Sequence, residues 1–198
     1  MNKIPTVFRR DPDDRKRVLP EANPACRWVL DGEGTPTRKY DGTCVMLDEN
    51  GTWWARREVR PGRTRPPGYR PVMTDEVTGK TVGWEPIEQS PYARYHAEAV
   101  ADSPERRRPG TYELIGPKIN GNPEGVRAHE LVPHDDAEKL DVPRDLDGLR
   151  NWLLAHPQYE GIVWHHPDGR RAKLKHRDFA FAGGASSRVP GQGTVRGE

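Results

Sequence analysis

The sequence predicts an α+β domain made of largely antiparallel sheets with a few helices. Three observations carry this: two stretches pattern as β-hairpins, two helical stretches lie between them, and turn residues are abundant. The 20 glycines and 20 prolines in 198 residues call for frequent loops. Only 33% of residues are hydrophobic, yet six are tryptophan, so aromatic side chains are expected to carry much of the packing.

In chain order, "RRDPDDRKR" at 9–17 is a mixed charge run and reads as a loose end. The first hairpin is "GTCVMLDENGTWWARREV", with β-formers on both arms and its turn at Asp48 to Gly51; Lys39 stands at its entrance. A helix follows through "YARYHAEAVA", with Ser90 as its cap and Pro91 at its first position. A second starts at Asp145, puts Leu146, Leu149 and Leu153 on one face, and stops at Pro157. "EGIVWHHPDGRRAKLK" is the second hairpin, turning at Pro167, Asp168 and Gly169. From 183 onward "GGASSRVPGQGTVRGE" has the composition of a flexible tail. The expected organisation is a variable segment over 1–19, one folded domain over 20–182 and a tail over 183–198, without internal repeats.

Several function classes drop out. Cys26 and Cys44 show no CxxC spacing and no histidine cluster accompanies them, so neither a disulfide framework nor a structural metal is indicated. No window approaches the roughly 20 apolar residues of a membrane span and no apolar leader opens the chain, so a soluble cytoplasmic protein is expected, with no membrane partner. The net charge of +2 conceals two basic runs, Arg56 to Arg70 and Arg170 to Arg177. Each could be a solvated face; together they fit a phosphate-rich partner such as nucleic acid.

The chemistry-bearing residues fall in a definite order. "KYDG" at 39–42 places a lysine ahead of a strand, although Asp-Gly alone is a common turn pair. "TYELIGPKINGNPEG" puts Glu113 in a short strand before a glycine-punctuated loop holding Lys118 and Asn120. No G-x-x-x-x-G-K-[ST] spacing occurs, which excludes a P-loop. Glu160 opens "EGIV", and Lys173 and Lys175, two apart in a strand, share one face. Such a K-L-K is also what an edge strand facing water shows.

This order of K-x-D-G, E in "YELIG", E-G-I-V and K-L-K resembles the covalent nucleotidyltransferase superfamily of polynucleotide ligases and capping enzymes. The closer resemblance is to small stand-alone ATP-dependent RNA ligases. It rests on "KYDGTC", "WARREVRPG", "TGKTVGWEPI", "HAEA", "TYELIGPKINGNP" and "EGIVWHHPDGRRAKLKHRDF", and it extends over most of the chain. It implies an ATP-grasp-like adenylyltransferase domain. The OB domain that DNA ligases and capping enzymes usually add after the last motif is not expected here, which would leave the arginines of 56–70 as candidate substitutes for a clamp.

The resemblance also implies roles. Lys39 would be the nucleophile, and Lys173 and Lys175 the cations that neutralise the α-phosphate. Glu160 would be the main carboxylate for Mg²⁺, with Mn²⁺ as a substitute, and Glu113 would hold the ribose and support the metal. Arg56 would contact the nucleotide ribose and help receive the acceptor phosphate, with Arg60 as its companion, and Lys118 would meet RNA phosphate. Ile162 would wall the base slot of ATP, and His134 stands where relatives carry a stacking residue, although beside Asp135 and Asp136 it also reads as a surface ion-pair partner. His165 and His166 read as ordinary surface residues.

A lysine attacks phosphorus only as a free amine, so the pKa of Lys39, ordinarily ~10.4, is expected to be lowered by burial and by neighbouring cations. The expected activity is ATP-dependent joining of 5′-phosphate and 3′-hydroxyl RNA ends through lysyl-AMP and RNA-adenylate. The alternatives are a DNA nick or end ligase, or a nucleotide-binding RNA-end sensor that joins nothing. No obligate protein partner is evident in the sequence.

Overall fold

In the computed structural model, residues 3–102 and 107–179 are described. Among these, the strands form three sheets whose named pairs are all antiparallel. The α+β class expected from the sequence is therefore present. The 183–198 tail lies outside the described residues.

The hairpin around the Asp48 turn forms as expected. β4 (Thr43–Leu47) pairs with β5 (Trp53–Val59), and the Asp48 carboxylate accepts hydrogen bonds from the backbone N–H groups of Asn50 and Thr52 and from the Trp54 indole. Around this hairpin a six-stranded sheet assembles. β7 (Thr81–Pro86) and β6 (Arg70–Thr74) extend it beyond β5, while β8 (Gly110–Ile115) and β9 (Glu130–Pro133) extend it beyond β4. α2 (Ala93–Asp102) packs against it, burying Ala99 with Val45, Ala55, Tyr112 and Leu114. This helix starts two residues after Pro91, with Ser90 Oγ accepting from Tyr92 N–H.

The second sheet has three strands in the order β11 (Arg171–Lys175), β10 (Gly161–His165), β3 (Thr35–Lys39). Its inner face places Ile162, Trp164, Ala172 and Leu174 in a core with Leu149 and Leu153 of α3 (Leu146–Ala155) and with Trp28 and Val29 of α1 (Arg27–Leu30). α3 is capped as the sequence predicts, the Asp145 carboxylate accepting from Gly148 N–H.

Two expectations are corrected. Lys39 does not enter the first hairpin. It ends β3 in the second sheet, and Tyr40 to Gly42 cross over to β4 in the first. The reason is register: β3 finds its partner in β10, more than 120 positions away, and no local pattern announces that pairing. The charge run at 9–17, read as a loose end, begins in one strand and leads to its partner. β1 (Phe8–Arg10) pairs with β2 (Val18–Ala22), and Val7 and Phe8 are buried in the second core. Two apolar residues beside a charge run are enough to anchor it.

Candidate active site

The crossover from β3 to β4 brings the outer faces of the two larger sheets to a common cavity of about 360 Å³. The three-stranded sheet contributes Lys39, Lys173 and Lys175, the six-stranded sheet contributes Arg56 and Glu113, and Glu160 stands just ahead of β10. Six sequence-predicted residues thus meet in one place.

Strand alternation delivers the lysines. In β11, Ala172 and Leu174 point into the core, so Lys173 and Lys175 point outward together. The edge-strand reading of K-L-K does not hold, because residues 5–7 cover that edge: Lys173 N–H donates to the Pro5 carbonyl and Val7 N–H to that of Lys173. Gly161 pairs with both Lys39 and Lys175, and a Cβ there would strike the Leu174 backbone. Without a side chain between them, the two lysines converge on Glu160: Lys39 Nζ donates to Oε2 at 2.5 Å and Lys175 Nζ donates to Oε1. Asp178, itself buried, fixes the end of β11 by accepting from Lys175 N–H and pairing with Arg10 at 2.9 Å.

The lysine loop is held from the other sheet. Glu124 accepts from Arg38 Nη2 at 2.5 Å and from Asp41 N–H at 2.7 Å. Asn120 Nδ2 donates to the Asp41 carboxylate and the Gly42 carbonyl. A side chain at Gly42 would collide with the Leu114 carbonyl and with Glu113, so only glycine lets this crossover lie against β8. Glu113 then accepts from Gly42 N–H at 3.2 Å and from His134 Nε2 at 3.0 Å, while His134 Nδ1 meets the Thr111 hydroxyl.

The two facing lysines differ electrostatically. Burial pulls the Lys39 pKa down, but the carboxylates of Glu160, Glu113 and Asp41 outweigh it, and the amine is held above its ordinary value. The expectation of a lowered Lys39 is corrected: acids, and not cations, are its nearest charged neighbours. Lys173 is lowered to about 8, first by burial and then by Lys175, Lys39 and Arg10. Glu160 remains below its ordinary value; burial opposes this, and Lys39 and Lys175 prevail.

Beside the cavity lies a small apolar slot of about 80 Å³ that shares Lys39 and Glu113 with it. Its walls include Val163, His165 and His134. Ile162 is not among them: it is fully buried on the opposite face of β10, and the alternation that hides Ile162 presents Val163. His134 is a slot wall fixed by Glu113 and Thr111. His165 is no ordinary surface residue either, since burial holds its imidazole down at about 4. Arg60 and Lys118 are exposed and line neither space. Arg56 lines the cavity, and its buried Nε finds no hydrogen-bond partner among the described residues.

Sequence reasoning missed several contributors. Asp41 was legible within K-x-D-G. Cys44 needed the β4–β8 register that sets it opposite Glu113, and Glu124 and Asn120 needed the fold of their loop. Cys44, Glu113 and His134 place ligand-type atoms within 4.8 Å of one another, but Glu113 and His134 are already spent on each other, and burial pushes the Cys44 thiol up to about 12. No helix among the described residues is long and apolar enough to cross a membrane.

No family model matches the chain. Over an alignment of 72 residues it is 39% identical to RNA ligase 1 of Rattus norvegicus and of Mus musculus, and 36% identical to RNA ligase 1 of Danio rerio. Each alignment covers 32% of this chain and 22% of the relative, so the matched stretch spans about a fifth of the relatives' length. The chain is in part RNA-ligase-like.

Proposed function

We propose that the protein is an ATP-dependent RNA ligase with an ATP-grasp-like adenylyltransferase fold. The observation that carries this reading is the convergence of Lys39 and Lys175 on Glu160, inside a cavity that also holds Lys173, Glu113 and Arg56, whose Nε has no hydrogen-bond partner among the described residues. The partial similarity to proteins named RNA ligase 1 supports the same class.

In this mechanism the unprotonated Lys39 amine attacks the α-phosphorus of ATP. An N–P bond forms, the bond to the β-phosphate oxygen breaks, and pyrophosphate leaves. The product is an AMP phosphoramidate on Lys39. Lys173 and Lys175 face the same space and offset the charge that develops on the α-phosphate, while Arg56 offers its free N–H to an anion. The apolar slot takes the base, and Glu113, fixed by Gly42 and His134, takes the ribose hydroxyls. A 5′-phosphate oxygen of RNA then displaces Lys39 from AMP, and a 3′-hydroxyl finally displaces AMP to close the phosphodiester.

The residues fit a hard divalent cation: Glu160 offers a half-buried carboxylate at the cavity, and Mg²⁺ typically takes one or two carboxylates while retaining waters. Cys44 and His134 near Glu113 are softer donors, which leaves Glu160 as the main ligand. When bound there, Mg²⁺ would offset pyrophosphate charge and relieve Lys39 of the anion that holds its proton.

The test is incubation with α-³²P-ATP and Mg²⁺, followed by a chase with 5′-phosphorylated RNA or DNA. Label on wild-type protein that moves into joined RNA, with Lys39→Ala unlabelled, is expected. Label that moves into DNA alone would replace RNA by DNA as substrate. Label that reaches no nucleic acid would leave a nucleotide-binding sensor.

A further inference from the structure

The segment ahead of β1 lines the cavity through Lys3 and Ile4. Thr6 bridges in parallel to Lys173, and the two backbone hydrogen bonds around it make the segment a short fourth strand beside β11. From this anchor Pro5, Ile4 and Lys3 continue toward the other sheet. Lys3 Nζ meets the Asp75 carboxylate, after β6, at 3.1 Å. The segment therefore spans both sheets that build the site.

Ile4 occupies a particular place on it. It lines the polar cavity that holds Lys39 and Glu160, and together with Val163 it also lines the apolar slot. Val163 comes from a strand paired on both edges, whereas Ile4 is half-buried and lies outside the named strands. The slot shares Ile4, Lys39 and Glu113 with the larger cavity. Its fixed wall cannot retreat, because β10 is clamped between β3 and β11. A further open space of about 580 Å³, reaching Met73, is also lined by Lys3, Ile4, Pro5 and Thr6. What holds Ile4 inward beyond the Thr6 anchor is the Lys3–Asp75 pair, whose lysine is 62% exposed, and an exposed ion pair is worth little.

We infer that Ile4 is an adjustable wall of the base slot: its side chain packs on a purine seated there, and the weakly held Lys3–Pro5 segment yields to fit it. This rests on the nucleotide-binding reading above and adds to it a binding residue outside the sequence motifs. Apolar contact with a flat base uses a branched aliphatic side chain well, because the base loses water from one face without needing a directed bond.

The test is calorimetric titration of the whole protein with α,β-methylene ATP, which cannot transfer AMP, and in parallel with tripolyphosphate, which has no base. Ile4→Ala should raise Kd for the ATP analogue by about fivefold to tenfold, the loss of one partly buried aliphatic side chain. Ile4→Ala should leave the tripolyphosphate Kd unchanged, and Ile4→Leu should restore the analogue affinity. Thermal melts should be nearly superimposable, since Val7 and Phe8 provide the burial that anchors the segment. An unchanged analogue Kd in Ile4→Ala would overturn the inference while leaving the ligase reading intact, and so would an equal loss for analogue and tripolyphosphate. If wild type bound neither compound, both would fall.

Discussion

The end of β3 and the middle of β11 each present a half-buried lysine to one cavity, and the two sites treat that lysine in opposite ways. At Lys39 the surrounding acids, Glu160 above all, hold the proton on; at Lys173 burial and three cations push it off, to about 8. Taken by pKa alone, Lys173 would be the nucleophile. Geometry favours Lys39 in the proposed mechanism: it sits at the crossover between sheets, on a loop held by Glu124 and Asn120, beside the Glu160 carboxylate. The difference shows that one cavity can hold one lysine charged through its acids while burial and neighbouring cations disfavour the charge on another; under the proposed mechanism the first is a stored nucleophile and the second a transition-state cation.

The largest effect that would sharpen this contrast is expected from Lys173→Met. Adenylylation should fall by about 10²–10³-fold, as for loss of a preorganised electrostatic contact. Stability should move the other way. The folded-state pKa of Lys173 lies below its unfolded value, so between about 8 and 10.5 the unfolded chain binds more protons, and stability rises with pH across that window. Below pH 8 the full penalty is present, and removing the charge should raise the melting midpoint at pH 7 by several degrees. An unchanged or lower midpoint would mean that Lys173 is not held under strain.

Next come the two faces of β10. Ile162→Ala should cost about 2–5 kcal/mol of stability by chemical denaturation, with nucleotide affinity nearly unchanged, because the cavity it leaves is in the core. Val163→Ala should do the reverse, weakening nucleotide binding several-fold with little loss of stability. A swapped outcome would place the wrong face toward the base.

Glu124→Gln should lower the rate of adenylylation by about tenfold with a smaller change in KM, since it loosens the Arg38 and Asp41 contacts that set the Lys39 loop. An equal loss in a property unrelated to the loop, such as the global unfolding midpoint, would point to a structural role alone.

The smallest effect is one of shape. If attack needs Lys39 unprotonated and Lys173 protonated, log kcat/KM rises with unit slope below pH 8 as Lys39 loses its proton. It then levels near 8, where the loss of the Lys173 proton cancels that gain. Lys173→Arg, whatever its absolute rate, should remove the break, because the guanidinium keeps its charge.

These contrasts also mark what the sequence disclosed. Both hairpins, the Asp145 cap and the shared face of Lys173 and Lys175 were legible, since turn chemistry and strand alternation are local. The cavity residues Lys39, Arg56, Glu113 and Glu160 were legible through ordered motifs. Ile162 was misassigned because strand phase is set by which face a distant helix covers, and α3 covers Ile162. The packed segment at residues 3–10 was hidden by the charges that follow it. The sign of the Lys39 shift depended on the exact meeting of three strands at Glu160, a long-range fact with no local trace.

The central claim is that Lys39, the lysine with the raised pKa, carries the covalent intermediate. It is tested most directly by incubating the protein with ATP and Mg²⁺, then measuring intact mass and mapping the modified peptide under mildly alkaline conditions that preserve a phosphoramidate. The account predicts a single AMP on the peptide containing Lys39, absent from Lys39→Ala and present, at a reduced level, in Lys173→Met. AMP on Lys173, or no adduct under conditions where ATP binds, would contradict it.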